Sequence, residues 1–228
     1  MKRSDRKRRP WRARRTAGTL VLGIAPFMGC DGGTSPELAT AVVLVADEPS
    51  EMLETAEVWI SRIYLQGSED AQQAGNGGSA TDQGASSDGR VDLFDAEGDP
   101  GARKVLDLLT LRDGATADAT GEVPVEAGVY HQLRFVVDST WVVLKDGYTF
   151  EDGTTEQGFK VPSGGQSGIK VQLIDGALEA GAGETVTITV DFPVDDNFVI
   201  QQTPDPDVIR RILFTPSLKE MERMTERS

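Results

Sequence analysis

The stretch Glu184-Thr-Val-Thr-Ile-Thr-Val-Asp-Phe192 decides the fold. Val186, Ile188, Val190 and Phe192 fall on one side of an extended chain, and Thr185, Thr187, Thr189 and Asp191 on the other. Successive side chains of a strand point to opposite faces, so this alternation describes a strand with one dry and one wet face. The same signal recurs along the chain. Residues 38–46 (LATAVVLVA) form a β-branched run of strand length, closed by Asp47-Glu48-Pro49-Ser50 as a turn. Residues 51–65 admit two readings: Met52, Ala56, Trp59 and Ile63 fit helical spacing, while Val58, Ile60 and Tyr64 fit alternation. The density of Val, Trp, Ile and Tyr from Val58 onward favours a strand over about 56–66.

Further strands are expected at 90–95, 103–111, 141–144, 158–161 and 208–214. Over 129–137, Val129, Leu133, Phe135 and Val137 are assigned to one face, and Tyr130, Gln132 and Arg134 to the other. Ile169, Val171 and Leu173 alternate with Lys170 and Gln172. Short strands between Gly-rich turns, without strand–helix alternation, predict an all-β fold: an antiparallel β-sandwich of immunoglobulin- or transthyretin-like architecture. Residues 67–89 (GSEDAQQAGNGGSATDQGASSDG) contain no large apolar side chain. Such a segment gains too little by burial to offset its ordering entropy, so it reads as a disordered insertion within the domain. The domain is expected over 38–216, followed by a charged, weakly helical tail at 217–228 that frays.

The N-terminus carries a different signal. Residues 1–15 hold nine Lys/Arg and one Asp, and the stretch from Thr16 to Cys30 has no charge. A basic start, a short apolar run and a small residue before cysteine is the layout of a bacterial lipoprotein export signal. The apolar run TAGTLVLGIAPFMG falls short of the ~20 residues that span a bilayer, and Pro26 would interrupt a long helix. Phe27-Met28-Gly29-Cys30 resembles a lipobox, with Phe27 where Leu is usual. The resemblance implies cleavage after Gly29, a diacylglycerol on the Cys30 thiol, and residues 30–37 as lipidated cysteine and tether. The protein is then expected in the bacterial cell envelope, held to a membrane by lipid and facing the periplasm or the exterior. Asp31 tilts the choice toward the inner membrane. The alternatives are a free thiol in an uncleaved tail and a twin-arginine route through Arg14-Arg15, whose following residues do not fit that consensus.

Removing the leader changes the charge. The chain has 23 Lys+Arg and 37 Asp+Glu; without residues 1–29 it keeps 14 and 36, a formal charge of −22. Nucleic acid is not an expected partner, because its binding depends on Lys/Arg neutralising phosphates. Close docking on anionic lipid is disfavoured for the same reason. With its single cysteine taken by lipid, the domain has no thiol for a disulfide and must hold by burial.

Four stretches resemble a domain of unknown function common in prokaryotic lipoproteins, the family numbered 4382. They are Val105-Leu-Asp-Leu-Leu-Thr-Leu-Arg-Asp-Gly114, Ala127-Gly-Val-Tyr-His-Gln-Leu-Arg134, Val161-Pro-Ser-Gly-Gly-Gln-Ser-Gly-Ile-Lys170 and Val190-Asp-Phe192. The third is the most specific. The resemblance covers about 38–216 and implies a lipid-anchored all-β extracytoplasmic module; the family brings no established activity. The insertion at 67–89 is unlike the compact family pattern.

Two groups of residues are candidate binding positions. In Pro162-Ser-Gly-Gly-Gln-Ser-Gly168, glycine amides, the Ser163 and Ser167 hydroxyls and Lys170 could hold an anion or a sugar; the plainer reading is a turn. Tyr130, Gln132 and Arg134 on one strand face could form a recognition stripe; the plainer reading is a solvated face. No catalytic residue is nominated. His131 is the single histidine, no G-x-S-x-G elbow accompanies it, and phosphate-loop and dinucleotide fingerprints are absent from the sequence. No metal site is nominated either. The oxygen-rich stretches at 95–99, 195–197 and 205–207 offer calcium ligands, but none fits a calcium-loop pattern, and ordinary acidic turns are the plainer reading. The expected function is therefore a non-catalytic binding, adhesion or scaffold module whose partners are an envelope protein or polysaccharide. The alternative is a hydrolase of envelope or extracellular glycans, using carboxylates that the sequence does not single out.

Overall fold

In the computed structural model the described residues are 37–47, 50–67, 89–96, 99–111, 114–161 and 167–227. Residues 1–36, with the expected export leader and Cys30, lie outside them, as do Ser163 and nearly all of the 67–89 insertion. The described residues form fifteen strands. The first seven are β1 (Leu38–Ala46), β2 (Leu53–Gly67), β3 (Arg90–Asp95), β4 (Lys104–Asp107), β5 (Ala117–Asp118), β6 (Val123–Glu126) and β7 (Gly128–Leu144). There follow β8 (Thr149–Phe150), β9 (Glu156–Lys160), β10 (Ile169–Gln172), β11 (Leu178–Ala180) and β12 (Glu184–Asp191). The chain ends in β13 (Phe198–Gln202), β14 (Val208–Phe214) and β15 (Leu218–Arg227).

Twelve of these strands share one mixed sheet with the path β3-β2-β7-β10-β15-β12-β1-β5. It curls into a half-barrel. A smaller sheet runs β13-β14-β8. The long strands β2 and β7 pair antiparallel almost throughout, and short strands complete their outer edges. β3 and β4 share one side of β2; β9, β10 and β11 share the far side of β7. β10 joins the two halves, pairing with β7 through Ile169 and Lys170 and with β15 through Val171 and Gln172.

The stretch that began the sequence reading behaves as its alternation requires. β12 lies parallel to β1, with Ala41 opposite Val186, Val43 opposite Ile188 and Val45 opposite Val190, all fully buried. Ile60, Ile63 and Leu65 from β2 and Leu133, Phe135 and Val137 from β7 complete the same core. All-β architecture is thus found, but the pairing is mixed: β1 with β12, β10 with β15, and β14 with β8 run parallel.

Several expectations need correction. The 218–227 tail is neither helical nor frayed; it is β15, paired antiparallel with β12 from Glu184–Arg227 to Asp191–Lys219. The domain therefore runs past 216 to the end of β15. The 103–111 stretch is a short strand followed by a 3-10 turn at Leu108–Thr110, where the Asp107 carboxylate accepts from the Leu109 amide at 3.3 Å. Residues 129–137 and 141–144 belong to one strand, β7, with a register shift between the pairs Gln66–Gln132 and Gly67–Tyr130. That bulge resets the alternation. Tyr130 turns into the core and Val129 faces out, opposite to the faces assigned from the sequence.

Candidate functional site

Four in-register residues cross the outward face of the sheet: Asp92 on β3, Tyr64 on β2, Arg134 on β7 and Lys170 on β10. At the centre, the Tyr64 hydroxyl donates to the Ser167 carbonyl at 2.9 Å. An Arg134 Nη1 donates to the same carbonyl and to that of Gly168 at 3.3 Å. Arg134 Nε also donates to Gln132 Oε1 at 2.7 Å. The guanidinium is thus spent on backbone and neighbour, in the planar multi-donor geometry that distinguishes Arg from Lys.

Gly168 sits at φ +66°, and a Cβ there would meet the Phe135 carbonyl at 3.1 Å. A side chain there would be strained by the left-handed backbone and would have to push the Phe135 carbonyl back by a few tenths of an ångström. The row therefore pins the C-terminal end of the Pro-Ser-Gly-Gly-Gln-Ser-Gly segment against β7. Toward β3, the Arg90 guanidinium lies 5.4 Å from the Tyr64 ring centroid. Arg90 also pairs with Asp92 at 3.1 Å, and Arg62 with Asp95 at 3.3 Å. Burial raises the Asp92 carboxyl above its usual range, opposed by the charges of Arg90 and Arg62.

Of the residues singled out in the sequence, Gln132, Arg134 and Ser167 are brought together, with Lys170 exposed in the adjoining register. Tyr130 is not among them. It is 5% exposed, donates to the Glu126 carbonyl at 2.7 Å, and has its pKa pushed up to about 12, first by burial and then by Glu126. Ser163 and the lipidation candidate Cys30 lie outside the described residues.

The acidic stretches serve turns. Asp99 accepts from the Gly101 amide at 2.8 Å, Asp205 accepts from the Asp207 amide at 3.1 Å, and Asn197 exchanges bonds with the Ser217 backbone. Among the described residues, no group of three or more His, Cys, Asp or Glu is placed to hold a metal ion. A shallow depression of about 160 Å³ beside Met52 and Phe198 is below the ~300 Å³ at which small-molecule sites begin. No helix among the described residues is long and apolar enough to cross a membrane.

A second outward patch escaped the sequence reading. Trp59 faces outward on β2 between Val105 of β4 and Ser139 of β7. Trp141 faces the same way, between Glu57 of β2 and Gly158 of β9, one diagonal step from Trp59. A Cβ at Gly158 would stand 2.8 Å from Trp141 Cε3 and 3.1 Å from Cζ3, so the indole covers the place of the missing side chain. A signal was available: these are the two tryptophans after residue 29, and alternation with Val58 and Ile60 places Trp59 on the wet face.

A family profile described as a domain of unknown function (DUF4382) matches residues 39–206. The chain belongs to the DUF4382 family. No curated protein and no solved structure matches it. The DUF4382 span takes in β1 through β13, and hence both the pinned Ser167-Gly168 segment and the tryptophan patch. It stops short of β14 and β15, although β15 completes the DUF4382 sheet beside β12.

Proposed function

We propose that this protein is a lipid-anchored extracytoplasmic module that acts by presenting a binding surface rather than by catalysis. The observation that carries this is the N-terminal layout: a basic stretch, an uncharged apolar run and Cys30, eight positions before the first strand at Leu38. Eight extended residues reach about 25–30 Å, which would keep the sheet close to the anchoring membrane. Two or more acyl chains hold stably, whereas one short chain binds marginally. Within the four-residue row, Tyr64 and Arg134 support a positioning role, since both donate to the 167–168 backbone and Arg134 is further held by Gln132 on its own strand.

The setting is the bacterial cell envelope, and the partners are an envelope polysaccharide or protein. Labelling cells with an alkynyl palmitate analogue tests the anchor. Wild type takes up label and Cys30→Ala does not, and the mass of the isolated wild type lacks residues 1–29. Equal labelling of both, or an intact leader, overturns the reading.

A further inference from the structure

The Trp59–Trp141 patch is built differently from ordinary sheet surface. Between β4, β2, β7 and β9 the sheet is four strands wide, and its wet face carries two indoles in a diagonal pair. Trp141 is 38% exposed although its chain neighbours Thr140 and Val142 are buried at 2% and 0%. Its ring rests over Gly158, the one strand position opposite it without a side chain. An aromatic over a glycine also protects that strand, which explains why the ring lies down but not why a second indole stands beside it. The rim is polar: Glu57 and Ser139 flank the rings, with Lys160 opposite Ser139. Among the described residues, neither Glu57 nor Lys160 is held in an ion pair or a side-chain hydrogen bond, so both have bonding capacity left.

We infer that this face binds a neutral saccharide chain, with one pyranose ring stacked on the Trp141 indole. Three arguments select that occupant. The axial C–H groups of a pyranose form an apolar, slightly positive face, which matches the negative face of an aromatic ring. The hydroxyls around the sugar edge then find the acceptor Glu57, the donor Lys160 and the Ser139 hydroxyl. The open apolar area is on the order of 200 Å², far below the ~800 Å² per partner that a stable protein interface buries. Polyanions are disfavoured by the formal charge of −22 beyond the leader. The inference rests on the binding reading above and gives it a place and a ligand class.

The test uses the full chain, purified in a detergent without a sugar head group, and titrated with cellohexaose, chitohexaose and polygalacturonate. Binding is followed by tryptophan fluorescence and calorimetry, and Tm is recorded for every variant. A neutral hexaose is expected to bind and shift the emission, and polygalacturonate to leave it unchanged. Trp141→Ala and Gly158→Ala are each expected to weaken binding at least tenfold. The second keeps the indole but lifts it from its seat. Trp59→Ala, which leaves the Trp141–Gly158 contact intact, is expected to weaken it about threefold or more without moving Tm by more than a few degrees.

Binding that survives all three substitutions overturns the site. So does binding of polygalacturonate alone, or concentration-dependent self-association in light scattering that Trp141→Ala abolishes. Failure of every hexaose to bind overturns the saccharide assignment while leaving the anchored-module reading in place. Turnover of a hexaose would sink the non-catalytic reading itself.

Discussion

Glu220 and Arg223 grip each other with two parallel bonds, Nε to Oε1 at 2.6 Å and Nη2 to Oε2 at 2.7 Å. The Glu220 side chain has no exposed surface, and it also accepts from the Ile174 amide at 2.6 Å. Arg223 reaches the Ala177 and Ile174 carbonyls at 2.9 and 3.1 Å. β10 pairs with β15 only at Leu218 and Lys219, so beyond that point this pair ties the open side of β15 to the β10–β11 connection. Side chains here do the work that a ladder of backbone bonds does elsewhere.

Removing Arg223 leaves a buried carboxylate unpaired, so Arg223→Ala should cost about 3 kcal/mol in urea unfolding. Glu220→Ala should cost less, because the stranded guanidinium is partly exposed and can turn to water. The double variant should be less destabilised than the sum of the two. Additive losses would mean that the pair carries no coupling.

Tyr130 sets an alkaline limit. Its phenol is held neutral in the fold up to about pH 12, against about 10 when unfolded. A group whose folded pKa is raised contributes stability that is fully present below the unfolded pKa and is lost as pH climbs through the folded one. Stability should therefore fall by about 2 kcal/mol between pH 10 and 12 on this account. Thermal unfolding from pH 8 to 12 measures it. Tyr130→Phe should be less stable at pH 8, having lost the bond to the Glu126 carbonyl, and should show a flatter alkaline slope. Parallel slopes for the two proteins would assign the alkaline loss to other groups.

How far the fold was legible depends on whether local pattern and tertiary pairing agree. β1, β3 and β12 match their expected bounds almost residue for residue; β1 and β12 combine β-branched composition with a half-buried face, and in β3 Val91, Leu93 and Phe94 interrupt a charged stretch. β15 reads LKEMERMTER, rich in helix formers and with Met221 and Met224 exposed. Its strand state is imposed by β12 and by the Glu220–Arg223 tie, which no local window contains. One bulged residue between Tyr130 and Gln132 inverts the faces of Val129 and Tyr130, while Leu133, Phe135 and Val137 beyond it keep theirs. Arg134 and Ser167 could be named but not joined, since their contact depends on β10 docking against β7. The tryptophan patch was missed because its partners come from four separate strands.

Arg134 and Tyr64 converge on one carbonyl, so the 167–168 backbone should loosen before the sheet does. Arg134→Lys keeps the charge but loses the forked geometry, and Tyr64→Phe loses a single bond worth about 1 kcal/mol. Each should speed amide exchange at Gly168 and Ile169 several-fold while moving Tm by no more than a few degrees. Unchanged exchange at both amides in the double variant would show that Gly168 packing against Phe135, not the side chains, holds the segment.

The 68–88 stretch should be dispensable. Its two ends are fastened to each other: the Gly67 amide donates to the Gly89 carbonyl at 3.0 Å, closing the β2–β3 hairpin. Gly67 and Gly89 already stand as the outer pair of a hairpin, so replacing 68–88 by Asn-Gly supplies the two-residue turn that this spacing accepts. Shortening the connection from 21 residues to two lowers the entropy of closing it by up to about 2 kcal/mol. In a domain of this size that corresponds to a Tm higher by roughly 4–8 °C at most. The expected result is a folded protein with an unchanged circular-dichroism spectrum and an equal or higher Tm. A variant that fails to fold would mean that residues between 68 and 88 contribute packing the hairpin ends do not reveal.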